Sequence, residues 1–479
     1  MSALLKALRR DERGMGMVLV VYVGAVASVL ALTTLVFTQR DQTRADVSKI
    51  RGAAFQAAEA GVEDYVAKLV DNRLYYGQYV HPGEATRRDV GGSNVAPNTA
   101  TNDEVPWPHT LSWTYPSGMD DGLAWRKVEV SGTNFTYEYR LQIIPPNIAA
   151  GDKTVRVLAA GQLACTAAGV PKYCGAESRR TIETFVRPSS IADYYRVVDG
   201  DVGWGSGATT YGKIYANGDV NHDGTAQGNI YAEGQITGAT TLLGGAIKYD
   251  VDSNPNIRSQ IEEPIDFTAF VTSFVDIQNA AAANSPSMAF TGVANTLAWR
   301  FIFNANGTVT VQRCPTGGVL DEAQTLPTCA AYGSSPYVIP SNGAIYATET
   351  VIVSGVVDGR VTVGSNDDIV IEGNISYETP GDDVLGLAAK NSVITANYAP
   401  STLTWNAAVI AQSNTWHSYS GTQSKTTMNF TGMSATADGG YFTQFATRNY
   451  SYDNNLQYLP PPWFPVVGDA YVIQFFREI

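Results

Sequence analysis

Gly212-Lys-Ile-Tyr-Ala-Asn-Gly-Asp-Val220 returns 16 residues later as Gly228-Asn-Ile-Tyr-Ala-Glu-Gly-Gln-Ile236, and again as Gly343-Ala-Ile-Tyr-Ala-Thr-Glu-Thr-Val351. Looser copies follow in Gly359-Arg-Val-Thr-Val363 and Gly373-Asn-Ile-Ser-Tyr377. Short β-branched triplets divided by Asn-Gly and Glu-Gly turns at a steady interval are the sequence mark of a parallel β-solenoid, or β-helix. One rung is too small to bury its own apolar face, so Ile214, Ile230 and Ile345 are expected to stack into one core. Alternation sends the neighbouring tyrosines to the opposite face. They are expected there either as an exposed stack or covered by a flanking helix or insertion.

The copies split between 212–249 and 343–377, and the stretch between them does not match. Residues 258–283 carry Ile261, Ile265, Phe267, Phe270, Val271, Phe274 and Ile277 near helical spacing. Trp299 to Phe303 and Thr308 to Gln312, divided by Asn304-Ala-Asn-Gly307, predict a hairpin. An α/β insertion at about 252–338 is therefore expected within a solenoid spanning 188–479. Rungs resume in Leu385-Gly-Leu-Ala-Ala389, Ser392-Val-Ile-Thr395 and Ala407-Ala-Val-Ile-Ala411. Leu459-Pro-Pro-Pro-Trp-Phe-Pro465 cannot join a central strand and should cap the stack or cross its face. Upstream, Trp125-Arg-Lys-Val-Glu-Val130, Phe135 to Ile143, Val155 to Ala159 and Arg180 to Val186 alternate apolar and polar residues. They predict half-buried antiparallel strands, hence a small α+β head over 71–187, with a surface loop at 82–108.

The chain opens with Lys6, Arg9, Arg10 and Arg13, then Gly14, then 23 residues without a charge from Met15 to Phe37. As a helix that run is about 34 Å long, enough for a bilayer core of roughly 30 Å. The helical pattern continues through Val47, Ile50, Ala54, Phe55, Ala58, Val62, Tyr65, Val66 and Leu69. The fold class expected is thus mainly β, with a long N-terminal helix (15–70) that is transmembrane over 15–37 and amphipathic beyond. A secretory signal has a shorter apolar core and is cut behind it; here the Arg13-Gly14 junction lies in front.

This arrangement resembles the prepilin leader of type IV pilins and related secretion pseudopilins. The string Phe55-Gln-Ala-Ala-Glu-Ala60 resembles the helix signature of the large minor-pilin group related to PilX. The resemblance implies a leader over 1–14, cut by a prepilin peptidase between Gly14 and Met15, with a cut after Gly16 the alternative. It implies partnership with other pilins through the N-terminal helix, and residence in the cytoplasmic membrane before assembly. Many pilins carry a glutamate five residues after the cut; the fifth residue here is Leu19, or Val21 for the later cut. The departure points to a tip or low-abundance position. Gly24, Ala25, Ala27, Ala31, Ala53, Ala57 and Gly61 are expected to allow close approach of neighbouring helices.

Charge sets the orientation. The short basic N-terminus should stay inside, giving a single pass with the bulk of the chain outside, and later the cell surface or a pilus. Residues 1–70 hold 9 basic and 7 acidic groups and the remainder 23 and 38, so the ectodomain carries −15. Such a surface repels phosphate backbones, which argues against stable nucleic-acid binding by its bulk. A local patch for a surface ligand or DNA stays open.

Cys165 and Cys174 flank one turn-rich loop, Cys314 and Cys329 another, with neither zinc nor redox spacing. Local pairing into two disulfides is expected, each adding ~3 kcal/mol, with four free, partly buried thiols the alternative. Asp219, Asn221 and Asp223-Gly224 match the first half of a calcium loop, but Ile230 stands where the closing glutamate belongs. A plain Asp-Gly turn is the other reading, and no cofactor is otherwise expected. The four histidines, His81, His109, His222 and His417, are scattered, and no nucleophile constellation stands out. A non-enzymatic pilin-like subunit for pilus assembly, adhesion or DNA uptake is the expectation. The alternatives are an anchored surface adhesin outside a pilus and an anchored β-helix polysaccharide lyase or glycosidase.

Overall fold

The computed structural model describes residues 2–71, 125–131, 135–144, 146, 151–165, 173–238, 241–242, 246–248, 265–267, 270–292, 296–315, 323–420 and 422–479, with two-residue strands at 87–88 and 94–95. Apart from those two strands, the loop expected over 82–108 lies outside the described residues, as do His81 and His109.

Helix α1 runs unbroken from Ser2 to Asp71. It takes in residues 2–14, whose Leu, Ala, Lys and Arg residues are strong helix formers, and nothing up to Asp71 is a proline. Its two described halves live in different surroundings. In the first, the described apolar side chains stand bare: Tyr22, Leu32 and Phe37 are each more than 60% exposed. Ala54, Ala58, Val62, Tyr65 and Leu69 are at most 1% exposed, packed on a sheet. The helix is thus long and apolar enough to cross a membrane, by length and composition.

That sheet is antiparallel, with strands β1 (Arg126–Glu129), β2 (Thr136–Ile144), β3 (Val155–Leu163) and β4 (Arg180–Ser190) in sequence order. Its fifth member comes from the other end of the chain. The C-terminal strand Val466–Glu478 pairs antiparallel with β4, placing Phe476 opposite Thr184 and Glu478 opposite Ile182. A head made of 71–187 alone is therefore corrected, because β4 has a free edge that only the C-terminus fills. At Gly161 helix and sheet come as close as backbones can: a Cβ there would lie 2.0 Å from the Ala54 carbonyl oxygen.

Beyond the head the chain forms parallel ladders. The first block is β5 (Tyr194–Val198), β6 (Lys213–Ala216), β7 (Ile230–Ala232) and β8 (Ala246–Lys248). Helix α2 (Phe270–Ala282) follows. The second block is β9 (Ala344–Ala347), β10 (Arg360–Ser365), β11 (Val384–Ala389), β12 (Thr402–Ala411) and β13 (Lys425–Thr436). The blocks join out of sequence order. β13 pairs with β5, so the spatial order is β9-β10-β11-β12-β13-β5-β6-β7-β8. The chain enters in the middle, builds outward to β8, crosses back, and fills in from the far end. In register, Ile345, Val363, Leu387, Val409, Ser434, Arg196, Ile214 and Ile230 form one continuous column.

The expected insertion at 252–338 is corrected accordingly. Ala289–Phe290 pairs parallel with β9, and Thr296–Asn304 pairs parallel with Thr350–Val357. Only Thr308–Pro315 and its partners Ala330–Ala331 and Tyr337–Val338 are antiparallel additions, so the sheets are mixed. The return path covers the tyrosine face. Ile265 N–H donates to the Tyr215 hydroxyl and Ile277 of α2 lies over Gly364 beside Tyr346. Tyr215, Tyr231 and Tyr346 are consequently buried, and no exposed tyrosine stack forms there. The proline run crosses the same face: Thr362 Oγ1 donates to the Pro462 carbonyl, and Trp463 Nε1 donates to Asn342 O at 2.7 Å. A proline lacks an N–H but offers its carbonyl, which suits it to lie across side chains rather than within a ladder.

Candidate functional site

The ladder is continuous across the junction of the two blocks on one face only. β5 hydrogen-bonds to β13, but the next strands of that turn, Val202–Trp204 and Thr209–Thr210, pair only away from the junction, with Val220–His222 and Thr225–Ala226. Across the gap, Phe445–Ser451 pairs only with β13. The edges part, and a groove of about 680 Å³ opens between them. This lies within the roughly 300–1,000 Å³ of small-ligand sites.

Arg196 forms the floor. It replaces an aliphatic residue in the interior column between Ser434 and Ile214, and is 94% buried at a relative exposure of 6%. Nη1 donates to Ser434 Oγ at 2.8 Å, and the guanidinium lies 5.6 Å from the Trp416 ring centroid. Among the described residues it has no carboxylate partner; the Asp438 carboxylate lends it only a weak favourable field from beyond hydrogen-bond reach. Burial pulls its pKa down to about 10, so it is still a cation at neutral pH. Beside it, the indole N–H of Trp416 is buried without a hydrogen-bond partner among the described residues.

Aromatic rings form the walls. Trp204 stacks on His222 at 5.3 Å and the half-exposed Tyr441 lies over His417 at 5.1 Å. Asp201, Thr209, Arg448 and Asn449 add polar groups around the mouth. His222 is a fixed support. Gly224 N–H donates to its Nδ1, which leaves Nε2–H to donate to Thr210 Oγ1 at 3.1 Å. Burial lowers the His222 pKa, so the neutral ring belongs to the fold. The sign follows from linkage. The stabilisation is complete above the unfolded value of about 6.5 and is lost as pH falls through the lower folded value. His222→Gln should therefore show a smaller drop in Tm between pH 7 and pH 5 than the parent chain. Parallel Tm-versus-pH curves would exclude this role.

The residues singled out in the sequence lie elsewhere. Gly14 and Met15 sit within α1. Cys165 is bonded to Cys174 and Cys314 to Cys329. Asp219, Asn221 and Asp223 border a turn in which Asp219 Oδ1 accepts the Gln235 N–H at 2.7 Å, one turn on. Asp201 accepts from Asp219 N–H and Asp368 from Ser392 N–H in the same way. These carboxylates tie successive turns together, and among the described residues no group of three His, Cys, Asp or Glu is close enough to hold a metal. Arg196 itself carried a faint sequence signal: Tyr194-Tyr-Arg-Val-Val198 is a buried-type strand with a cation at its centre.

The small residues of α1 divide. Gly24 has no atom within 4 Å of where a Cβ would stand, whereas Ala53 and Ala57 are buried and Gly61 abuts Tyr139. The latter three pack against the chain's own head rather than a neighbouring helix. No protein-family model, curated protein or solved structure matches this chain.

Proposed function

We propose that the chain is a non-enzymatic, pilin-like subunit, a minor pilin of a type IV pilus or related filament, and that its parallel ladders are the coils of a β-solenoid ectodomain. The observation that carries this reading is the division of α1. One half is clamped to the head by Ala54, Ala58, Val62, Tyr65 and Leu69, while Tyr22, Val23, Val26, Val29, Leu30, Leu32 and Phe37 in the other stand bare. A simple tether needs no rigid continuity with the domain it anchors. A subunit that must carry its ectodomain at a fixed angle on a bundle of like helices does. Lipid would cover the bare half before assembly and neighbouring pilins afterwards, with Gly24, Ala25, Ala27 and Ala31 allowing close contact. The ectodomain then projects outward, in a position to start assembly, adhere or assist DNA uptake.

Leader removal is the direct test. The mature protein should begin at Met15, and Gly14→Leu should keep residues 1–14 attached when the N-terminus is read by mass spectrometry. A variant still starting at Met15, or an exported parent chain retaining its leader, would falsify the processing step and with it the pilin reading.

A further inference from the structure

We propose that the groove at the junction of the two ladder blocks binds an acidic saccharide, with a sugar carboxylate paired to Arg196 and sugar rings resting on Trp204 and Tyr441. The inference does not depend on how α1 is used. A guanidinium buried in an apolar column costs several kcal/mol unless an anion or a full set of acceptors meets it. Among the described residues Arg196 has one hydrogen bond, to Ser434, and lies against the Trp416 ring. Leu387 and Val409 show what the column otherwise takes, so the position is not short of an aliphatic solution. The indole N–H of Trp416, in the same lining, is buried and has no hydrogen-bond partner among the described residues. Within the column a cation occurs at this one position, where the ladder parts.

The remaining groups choose among anions. A phosphate-rich ligand needs donors throughout and would meet the Asp201 carboxylate at the mouth, on an ectodomain of charge −15. A saccharide presents hydroxyls that donate as well as accept, so Asp201, Thr209 and Asn449 suit it, with one carboxylate for Arg196 and Arg448 free for a second. The half-exposed Tyr441 ring and the partly buried Trp204 ring, with a polar surround, fit the C–H faces of sugar rings.

The test is calorimetric titration of the full chain in detergent micelles with trigalacturonate, its full methyl ester and hexaglutamate. The acid sugar should bind, with the ester and the peptide at least tenfold weaker. Arg196→Met should weaken the acid sugar at least tenfold while leaving Tm unchanged or higher, because Met continues the apolar column. Tyr441→Ala, at an exposed ring, should also weaken binding and serves if Arg196→Met does not fold. Absence of acid-sugar binding, equal binding of ester or peptide, or full affinity in both variants would each overturn the proposal.

Discussion

Asp193→Ala should destabilise the protein by about 3–5 kcal/mol, the cost of leaving a buried charge without its partner. Arg187 and Asp193 form an ion pair with side chains only 2% and 7% exposed. Arg187 Nη1 also donates to Pro188 O at 3.0 Å, and Nη2 to Gln457 O at 2.7 Å. Asp193 Oδ2 accepts the Ser190 N–H at 2.8 Å, closing a capping box. One side chain pair thus ties the end of β4, the entry to the first ladder and the segment leading to the C-terminal strand. Asp193→Asn keeps an acceptor for Ser190 but removes the charge, so it should fall between parent and Ala. Arg187→Met with Asp193→Leu should recover much of the loss, since both charges leave together. Chemical denaturation of the full chain in micelles measures all three. A loss under 1 kcal/mol for Asp193→Ala would mean the pair is not the joint.

Gly161→Ala should cost about 3 kcal/mol, the upper end of the usual range for overpacking. The added methyl would stand 2.0 Å from Ala54 O and 2.6 Å from Ala58 N, both backbone atoms of α1. Neither can rotate aside, so the helix must lift from β3 and loosen Ala54, Ala58 and Val62 with it. Gly52→Ala is the counterpart on the same helix. No atom lies within 4 Å of its Cβ position, and helix propensity favours alanine by about 1 kcal/mol. The same chemical change should therefore lower stability at 161 and raise it at 52. Equal effects at both positions would contradict the close helix–sheet contact.

Much of this architecture was legible in local patterns. Charge-free residues from 15 to 37 specified an apolar helix because twenty-odd such residues have no other economical fold. Spacing from Val47 to Leu69 named the buried stripe, and Ala54, Ala58, Val62, Tyr65 and Leu69 occupy it. Triplets at 214 and 230 pair in parallel, one directly upon the other. The groove was not legible, because Arg196, Trp416 and Tyr441 lie up to 245 residues apart in the chain and share no motif.

Local sequence marked the two helical segments, though α1 begins at Ser2 rather than 15 and α2 at Phe270 rather than 258, and it marked the short parallel-type strands, since these patterns depend on neighbours two to four positions away. Tertiary structure alone decided which strand edge meets which. Every free edge offers the same N–H and C=O groups, so nothing local tells β5 to join β13, or Val466–Glu478 to complete the head. That choice rests on packing across the whole molecule, and it is what carries Arg196 into an aliphatic column and opens the groove above it.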